Sequence, residues 1–227
     1  MKIIQQKVVY IFVVFVCLLI LSCDKTPQGP EEVPEDFGIY SESTQIGVNL
    51  DVDSFLGTDF GGGGRFIPTT DSGFVDDINE KMEGDISKRS TINVASSGQW
   101  AIWFVQQGLT SSNNETRDMS KYSGGTITFW VKAQPQVQDL LVGIRSGNVL
   151  AGNERKVLLS RYGFSANNQW SKVSVLLDDL EGTSPKADLS KIKVFFVVGS
   201  GSDDTRGTNG DATFWIDDVR WVAKVQE

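Results

Sequence analysis

From residue 36 onward the sequence is a succession of short segments rich in β-branched and aromatic residues, separated by clusters of Gly, Ser, Asn and Asp. Such segments are typical of strands, and the clusters between them are typical of turns. Short strands at this spacing predict an all-β fold, an antiparallel β-sandwich of jelly-roll type. The predicted strands are Thr91–Val94, Trp100–Gln106, Thr126–Ala133, Leu140–Ser146, Lys156–Tyr162, Trp170–Leu177, Ile192–Val198 and Ala212–Val222.

Alternation within these segments indicates which side chains share a face, because successive side chains of a strand point to opposite sides of the sheet. In Thr126–Ala133, Trp130 lies on a polar face opposite an apolar one. In Ile192–Val198 both faces are apolar, which is the pattern of a fully buried central strand. Near the C-terminus, strict alternation puts Trp215 and Trp221 on one face, where we expect them to pack near a sheet edge.

The composition excludes most catalytic chemistry. The 227 residues contain no histidine, which removes Ser-His-Asp and Cys-His catalysis and histidine-bearing zinc sites. Two cysteines are too few for a disulfide framework or a four-cysteine metal site. The sequence also lacks a Glu-x-Asp-x-x-Glu strand that would place paired carboxylates on one face for glycoside hydrolysis. We therefore expect that the protein is not an enzyme.

The formal net charge is −8. An acidic surface repels a phosphate backbone, so we expect no nucleic-acid partner.

The first 22 residues have the pattern of a secretory signal peptide. Lys2 and Lys7 form the charged region, and residues 8–21 form an apolar run that is too short for a membrane-spanning helix. The run ends in Ile-Leu-Ser-Cys at residues 20–23, which resembles the lipobox of bacterial lipoproteins. This resemblance implies that Cys23 is lipidated and becomes the anchored N-terminus. The alternative is an ordinary signal peptide with a chance cysteine.

These features divide the chain into three parts. Residues 1–22 are the predicted lipoprotein signal peptide, and residues 23–35 are a linker rich in proline and acidic residues, which cannot bury enough apolar surface to fold. Residues 36–227 are the predicted β-sandwich domain. We expect the protein in a bacterial cell envelope, anchored to the membrane by lipid, with the outer membrane or cell surface favoured.

Four segments carry a resemblance to a known family. They read FGIYSE, DMSKYSGGTITFWVK, NQW with VSVLL and then DLSKI, and FWIDDVRW, and they begin at Phe37, Asp118, Asn168 and Phe214. In these segments the chain is similar to the jelly-roll carbohydrate-binding modules of the galactose-binding-domain-like superfamily. The resemblance covers roughly residues 36–224 and implies a galactose-binding-domain-like sandwich that binds glycans.

A glycan site combines aromatic planes, on which the C–H face of a sugar ring stacks, with side chains that bond its hydroxyls. Trp103 and Trp130 are candidate aromatic platforms, with packing within the protein as the alternative. Arg145 and Arg161 are candidate donors to sugar hydroxyls; ion pairing with one of the 29 acidic residues is the alternative. Tyr162, next to Arg161, is a further candidate platform.

The same resemblance implies a structural calcium ion held between the first and last strands. Glu42, and Asp217 or Asp218, match the family's carboxylate positions. Because Ca²⁺ takes six to eight oxygen ligands, backbone carbonyls would complete the site. The alternative is that these acidic residues are solvated at a strand end.

The sequence thus predicts a lipid-anchored envelope protein that binds a polysaccharide or oligosaccharide without catalysis, with sugar rings stacked on aromatics of a concave sheet. The alternative is a structural or protein-interaction module of an envelope complex, built on the same sandwich.

Overall fold

The computed structural model describes residues 36–40, 50–53, 65–66, 75–93, 101–106, 115–147, 153–181, 187–199 and 211–224. Side chains are described except at 50–53, 65–66, 92–93, 101–106 and 211. The chain divides into one unit of Met1–Val33, which lies outside the described residues, and one of Pro34–Glu227, which holds the described elements. The predicted signal peptide, the whole linker with Cys23, and Glu42 lie outside the described residues.

Twelve described strands form two sheets in which every pairing is antiparallel. The strands of the seven-stranded sheet are β1 (Phe37–Tyr40), β3 (Arg65–Phe66), β4 (Val75–Asp77), β5 (Ser87–Asn93), β7 (Thr126–Ala133), β10 (Ser171–Leu176) and β12 (Asp211–Val222). The strands of the five-stranded sheet are β2 (Leu50–Asp53), β6 (Ala101–Gln106), β8 (Leu141–Ser146), β9 (Asn153–Leu158) and β11 (Ile192–Gly199). A single turn of α-helix, α1 (Leu177–Leu180), follows β10.

The order within the seven-stranded sheet is β10-β7-β12-β5-β3, with β1 also paired to β12 and β4 to β5. The five-stranded sheet has the order β2-β6-β11-β8-β9. The prediction of an all-β antiparallel sandwich is confirmed. None of the helices within the described residues is long and apolar enough to cross a membrane.

Aromatic side chains from both sheets meet in the core. The rings of Phe129 and Phe196 lie edge to face, with their centroids 5.1 Å apart. Trp221 is fully buried and donates its indole N–H to the carbonyl oxygen of Phe195 at 2.9 Å. Since β12 and β11 belong to different sheets, this bond ties the two sheets together while satisfying a polar group that burial would otherwise leave unpaired.

An irregularity in β12 changes which face its last residues occupy. Asp217 pairs with Trp130 of β7, but the next pair is Arg220 with Thr128. Between these two pairs, β12 has two residues opposite a single residue of β7. Asp218, at φ 50°, lies in this bulge. The prediction that Trp215 and Trp221 share a face is therefore wrong, because only Trp221 belongs to the core cluster.

Most predicted strands occur with shifts of a few residues at their ends, and Thr126–Ala133 has the predicted bounds. The strand predicted at Lys156–Tyr162 is different. β9 ends at Leu158, and Leu159–Tyr162 forms a 3₁₀ turn closed by Gly163 at φ 81°. The sequence does not predict β2, β3 and β4: β3 and β4 have two and three residues, and β2 alternates but has only four.

Candidate functional site

The outer face of the seven-stranded sheet is covered by the loop between β4 and β5, residues 78–86. Asp217 of β12 accepts the backbone N–H groups of Met82 and Glu83 at 2.8 and 3.0 Å through one carboxylate oxygen. Lys132 of β7 forms an ion pair of 2.7 Å with Glu80. Backbone and side-chain groups of the loop are therefore bonded directly to the middle strands of this sheet.

Trp130 lies beneath this loop. Its indole N–H donates to the Glu83 carboxylate at 3.2 Å, and the ammonium group of Lys172 lies 5.5 Å from its ring centroid. Trp130 is half-buried. Of the two alternatives for Trp130, this geometry favours packing within the protein, because its polar tip and one ring face already have partners.

Trp215 is held in a similar way by Asp77. The indole N–H of Trp215 donates to Asp77 at 3.0 Å, and the carboxylate also accepts the backbone N–H groups of Asn79 and Glu80. Burial acts to raise the pKa of Asp77, but these donors and the nearby Arg89 outweigh it and hold the pKa below its usual value. Asp77 is thus a charged anchor at the start of the loop.

In the described part of the predicted calcium site, both carboxylates have partners within the protein. Asp217 accepts hydrogen bonds from backbone N–H groups. Burial nevertheless raises the pKa of its carboxyl, because its effect exceeds that of these hydrogen bonds, which lower the pKa. Asp218 is buried and forms an ion pair with Arg220, whose charge would repel Ca²⁺. Within the described residues no three acidic or thiol side chains are grouped as metal ligands. Glu42 lies outside those residues, so the calcium prediction stays a prediction.

The outer face of the five-stranded sheet contains a row of residues in register across all five strands. Asp53 pairs with Trp103, Trp103 with Val197, Val197 with Gly143, and Gly143 with Lys156. The side chains of Asp53 and Trp103 lie outside the described residues, so their backbone positions alone place them in the row. At a strand spacing of about 4.8 Å, the row is about 19 Å long.

A cluster of charged side chains lies at the β8–β9 end of this face. Arg145 of β8 is 3.4 Å from the Glu154 carboxylate, and Lys156 is 2.7 Å from the other oxygen of the same carboxylate. The ion-pair alternative for Arg145 is thus observed, and the guanidinium is nonetheless in the same sheet as Trp103. The candidate residues predicted from the sequence do not include Glu154 and Lys156. They become candidates only because β9 pairs with β8 so that Glu154 lies opposite Arg145 and Lys156 lies opposite Gly143, a register that the sequence does not reveal.

Gly143, which pairs with Lys156, has no side chain that projects from the row. A Cβ atom at this position would lie 1.9 Å from the carbonyl oxygen of Arg155 and 2.8 Å from Cγ of Lys156. Only glycine therefore allows β9 to pair this closely with β8. Val197, the next residue of the row, is buried, so the middle of the row is formed by small or buried residues.

Arg161 and Tyr162 lie in the turn after β9 rather than in the strand. The Tyr162 hydroxyl donates to Asp179, at an O–O distance of 2.5 Å, and links this turn to α1. Burial, followed by the bond to Asp179, raises the pKa of Tyr162. Arg161 is exposed. The five predicted ligand residues are thus spread over both sheets and a turn, with Trp103 and Arg145 in the same sheet.

Comparison with known proteins agrees with this architecture. Residues 50–223 match the family model described as carbohydrate binding domain 30. The fold is similar to the family 30 carbohydrate-binding module of the cellulosomal cellulase Cel9D-Cel44B of Clostridium thermocellum, with a TM-score of 0.61 and 18% identity, over 85% of this chain and 100% of that one.

Two further solved structures share the fold. The family 11 carbohydrate-binding module from Clostridium thermocellum, solved with a β-1,3-1,4-mixed-linked tetrasaccharide, has a TM-score of 0.53 and 11% identity over 85% of this chain and 98% of that one. A β-1,2-glucanase from Parabacteroides distasonis has a TM-score of 0.53 and 14% identity, but the match covers only 26% of the glucanase.

No curated protein matches the sequence. The family match extends from β2 to the end of β12, and the folds agree over most of the chain. The chain therefore belongs to carbohydrate binding domain family 30 and is a carbohydrate-binding module of the β-sandwich type.

Proposed function

We propose that this protein binds a glycan chain, without catalysis, on the outer face of the five-stranded sheet. The observation that carries the proposal is the row in register from Asp53 through Trp103 to Lys156. It puts the backbone of an aromatic residue in line with Val197, Gly143 and Lys156 across the sheet. A glycan chain that follows this row would pass from the Trp103 position to Lys156.

We choose the five-stranded sheet also because a loop covers the outer face of the seven-stranded sheet. Residues 78–86 are bonded to the outer face of the seven-stranded sheet through Asp217, Glu80 and Glu83. A glycan there would have to displace charged hydrogen bonds. On the five-stranded sheet, the cluster of Arg145, Glu154 and Lys156 offers both donors and acceptors, which is what sugar hydroxyls require.

The glycan class we propose is a β-glucan. The support is indirect: a structural neighbour with the same fold was solved with a β-1,3-1,4-mixed-linked tetrasaccharide, and another belongs to a cellulase. Absence of catalysis is part of the proposal and is supported by the sequence, which lacks histidine and a Glu-x-Asp-x-x-Glu strand.

Affinity electrophoresis through gels that contain mixed-linked β-glucan, xylan, mannan or pectin tests the proposal. We expect retardation in the β-glucan gel, and at least a tenfold weaker affinity, about 1.4 kcal/mol, for Trp103→Ala. Trp130→Ala is the matched control on the other sheet. Retardation lost in Trp130→Ala but kept in Trp103→Ala would put the site on the seven-stranded sheet. A folded protein that no gel retards would favour the protein-interaction alternative.

We further propose that Cys23 is lipidated and that residues 23–35 tether the domain to the envelope. The support is the lipobox-like sequence at 20–23 and the proline-rich acidic composition that follows it. Labelling of cells with a radioactive fatty acid should mark the wild-type protein and leave Cys23→Ser unmarked. Equal labelling of both would contradict the anchor.

A further inference from the structure

Glu154 lies between two cationic side chains at the β8–β9 end of the five-stranded sheet. One of its carboxylate oxygens is 3.4 Å from Nη1 of Arg145, and the other is 2.7 Å from Nζ of Lys156. Each oxygen therefore has its own cation, and the carboxylate holds the two cations on either side of it. With two positive charges and one negative charge, the three side chains together have an excess of one positive charge.

The strand register puts this cluster beside the row on the outer face of the sheet. β8 and β9 pair with Gly143 opposite Lys156 and Arg145 opposite Glu154. Because side chains two residues apart on a strand project to the same side, Glu154 shares the outer face with Lys156 and is about 7 Å from it along the strand. A glycan that reaches Lys156 is therefore close to the Glu154 carboxylate.

The side chains of Glu154 and Lys156 are partly covered by the protein, with exposed fractions of 16% and 24%. Charges at partly buried positions are screened less than charges in open solvent, where the screening length is about 8 Å at physiological ionic strength. Both charges therefore act on a ligand group at the row, and both side chains have surface that such a group can contact.

A sugar that carries a carboxylate would compete with Glu154. Ammonium and guanidinium groups bind carboxylates through charge-assisted hydrogen bonds, so Arg145 and Lys156 would suit a uronic acid unit if no carboxylate lay between them. Glu154 occupies that place, and its charge repels a second carboxylate. A neutral sugar meets no such repulsion, because its hydroxyls can donate to Glu154 and accept from Lys156.

We propose that Glu154 sets the charge preference of the glycan site, so that the site takes neutral glycans and excludes glycans that contain uronic acid units. The proposal rests on the proposed function, since it assumes that the glycan lies along the row of the five-stranded sheet. The formal net charge of −8 acts in the same direction over the whole surface. A test therefore has to separate the charge of Glu154 from the overall charge of the protein.

Isothermal titration calorimetry with two matched ligands makes this separation: the β-1,3-1,4-mixed-linked tetrasaccharide, and the same molecule with its C6 hydroxymethyl groups oxidised to carboxylates. We expect the wild-type protein to bind the neutral tetrasaccharide at least tenfold more tightly than the uronate. Glu154→Gln keeps the size of the side chain but removes its charge, and should lower this preference at least tenfold. Asp178→Asn removes one negative charge from an exposed position on α1 and should leave the preference unchanged.

Two further variants separate the charge of Glu154 from its shape. Glu154→Asp keeps the charge and should keep the preference for the neutral tetrasaccharide. Adding Lys156→Gln to Glu154→Gln should reverse the gain in affinity for the uronate, because it removes a cation that the uronate would contact. Added NaCl should also reduce that gain, since salt screens the attraction between opposite charges.

Equal losses of affinity for both tetrasaccharides in Glu154→Gln would overturn the proposal, because Glu154 would then support the site without setting its charge preference. The same change of preference in Asp178→Asn would also overturn it, since the overall charge would be responsible. If only this inference fails, the wild type still binds the neutral tetrasaccharide and Trp103→Ala weakens that binding. If the proposed function fails, neither the wild type nor Glu154→Gln binds either tetrasaccharide, and both proposals are overturned.

Discussion

The indole N–H of Trp130 donates to the carboxylate of Glu83 at 3.2 Å, across 47 residues of sequence. This bond joins the middle of β7 to the loop of residues 78–86 and gives the polar tip of Trp130 a partner inside the protein. An aromatic side chain on the polar face of a strand can thus hold a loop in place. For Trp130, this contact favours packing within the protein over stacking on a ligand.

We expect Trp130→Phe to lower the free energy of unfolding by about 1 kcal/mol, because the ring is kept while one hydrogen bond is lost. Chemical denaturation measures the change. Binding to mixed-linked β-glucan should equal that of the wild type. A variant of unchanged stability and weakened binding would instead return Trp130 to the list of ligand residues.

Asp217→Ala should release the loop from the sheet. The variant removes the acceptor for the N–H groups of Met82 and Glu83, so their hydrogen exchange should accelerate at least tenfold while that of Phe129, in the core, changes far less. Hydrogen-exchange NMR measures these rates. Equal acceleration at Phe129 would mean global destabilisation rather than release of the loop.

Chelation tests the calcium prediction independently. If Glu42 and Asp217 or Asp218 hold a calcium ion, EDTA should lower the melting temperature of the wild-type protein and CaCl₂ should restore it, with no such change in Glu42→Gln. A melting temperature that EDTA leaves unchanged would contradict the site and would agree with the N–H donors and the Arg220 ion pair that Asp217 and Asp218 already have.

Asp77 predicts the sign of a pH dependence. Its pKa is lower in the folded protein than that of an ordinary aspartate, so its stabilising effect is fully present above the ordinary pKa of about 3.9 and is lost as the pH falls through the folded-state pKa. Asp77→Asn should cost about 2 kcal/mol at neutral pH, and the difference from the wild type should shrink below about pH 4. Urea unfolding at several pH values measures it, and a difference that does not vary with pH would contradict the assignment.

Gly143→Ala should disturb the pairing of β8 with β9. Its Cβ would lie 1.9 Å from the Arg155 carbonyl oxygen, so we expect a loss of about 3 kcal/mol together with weakened glycan binding. Gly163→Ala is the control: its Cβ would meet nothing within 4 Å, and only the positive φ of 81° opposes it, at roughly 1 kcal/mol. Equal losses in the two variants would show that β9 can move away from β8.

The local sequence was sufficient to predict the strands that carry strong patterns. Thr126–Ala133 alternates over eight residues and has the predicted bounds, and Ile192–Gly199 is apolar on both faces and lies in the middle of its sheet. In both cases the pattern reflects which side chains are buried, so it can be recognised from the segment alone, without knowledge of the partner strand. The short edge strands β3 and β4 lacked such a pattern, because pairing with β5 defines them.

The all-β class, the approximate strand positions and the glycan-binding family were determined by the sequence alone, because each depends on residues close together in the chain. Only the tertiary structure decided that Trp103 and Trp130 belong to different sheets, that Arg145 meets Glu154, and that the bulge at Asp218 turns Trp221 into the core. Those relationships depend on strand order and register, which are set by packing between distant segments. Period-two alternation carries no information on which strands become neighbours or where one extra residue reverses the faces.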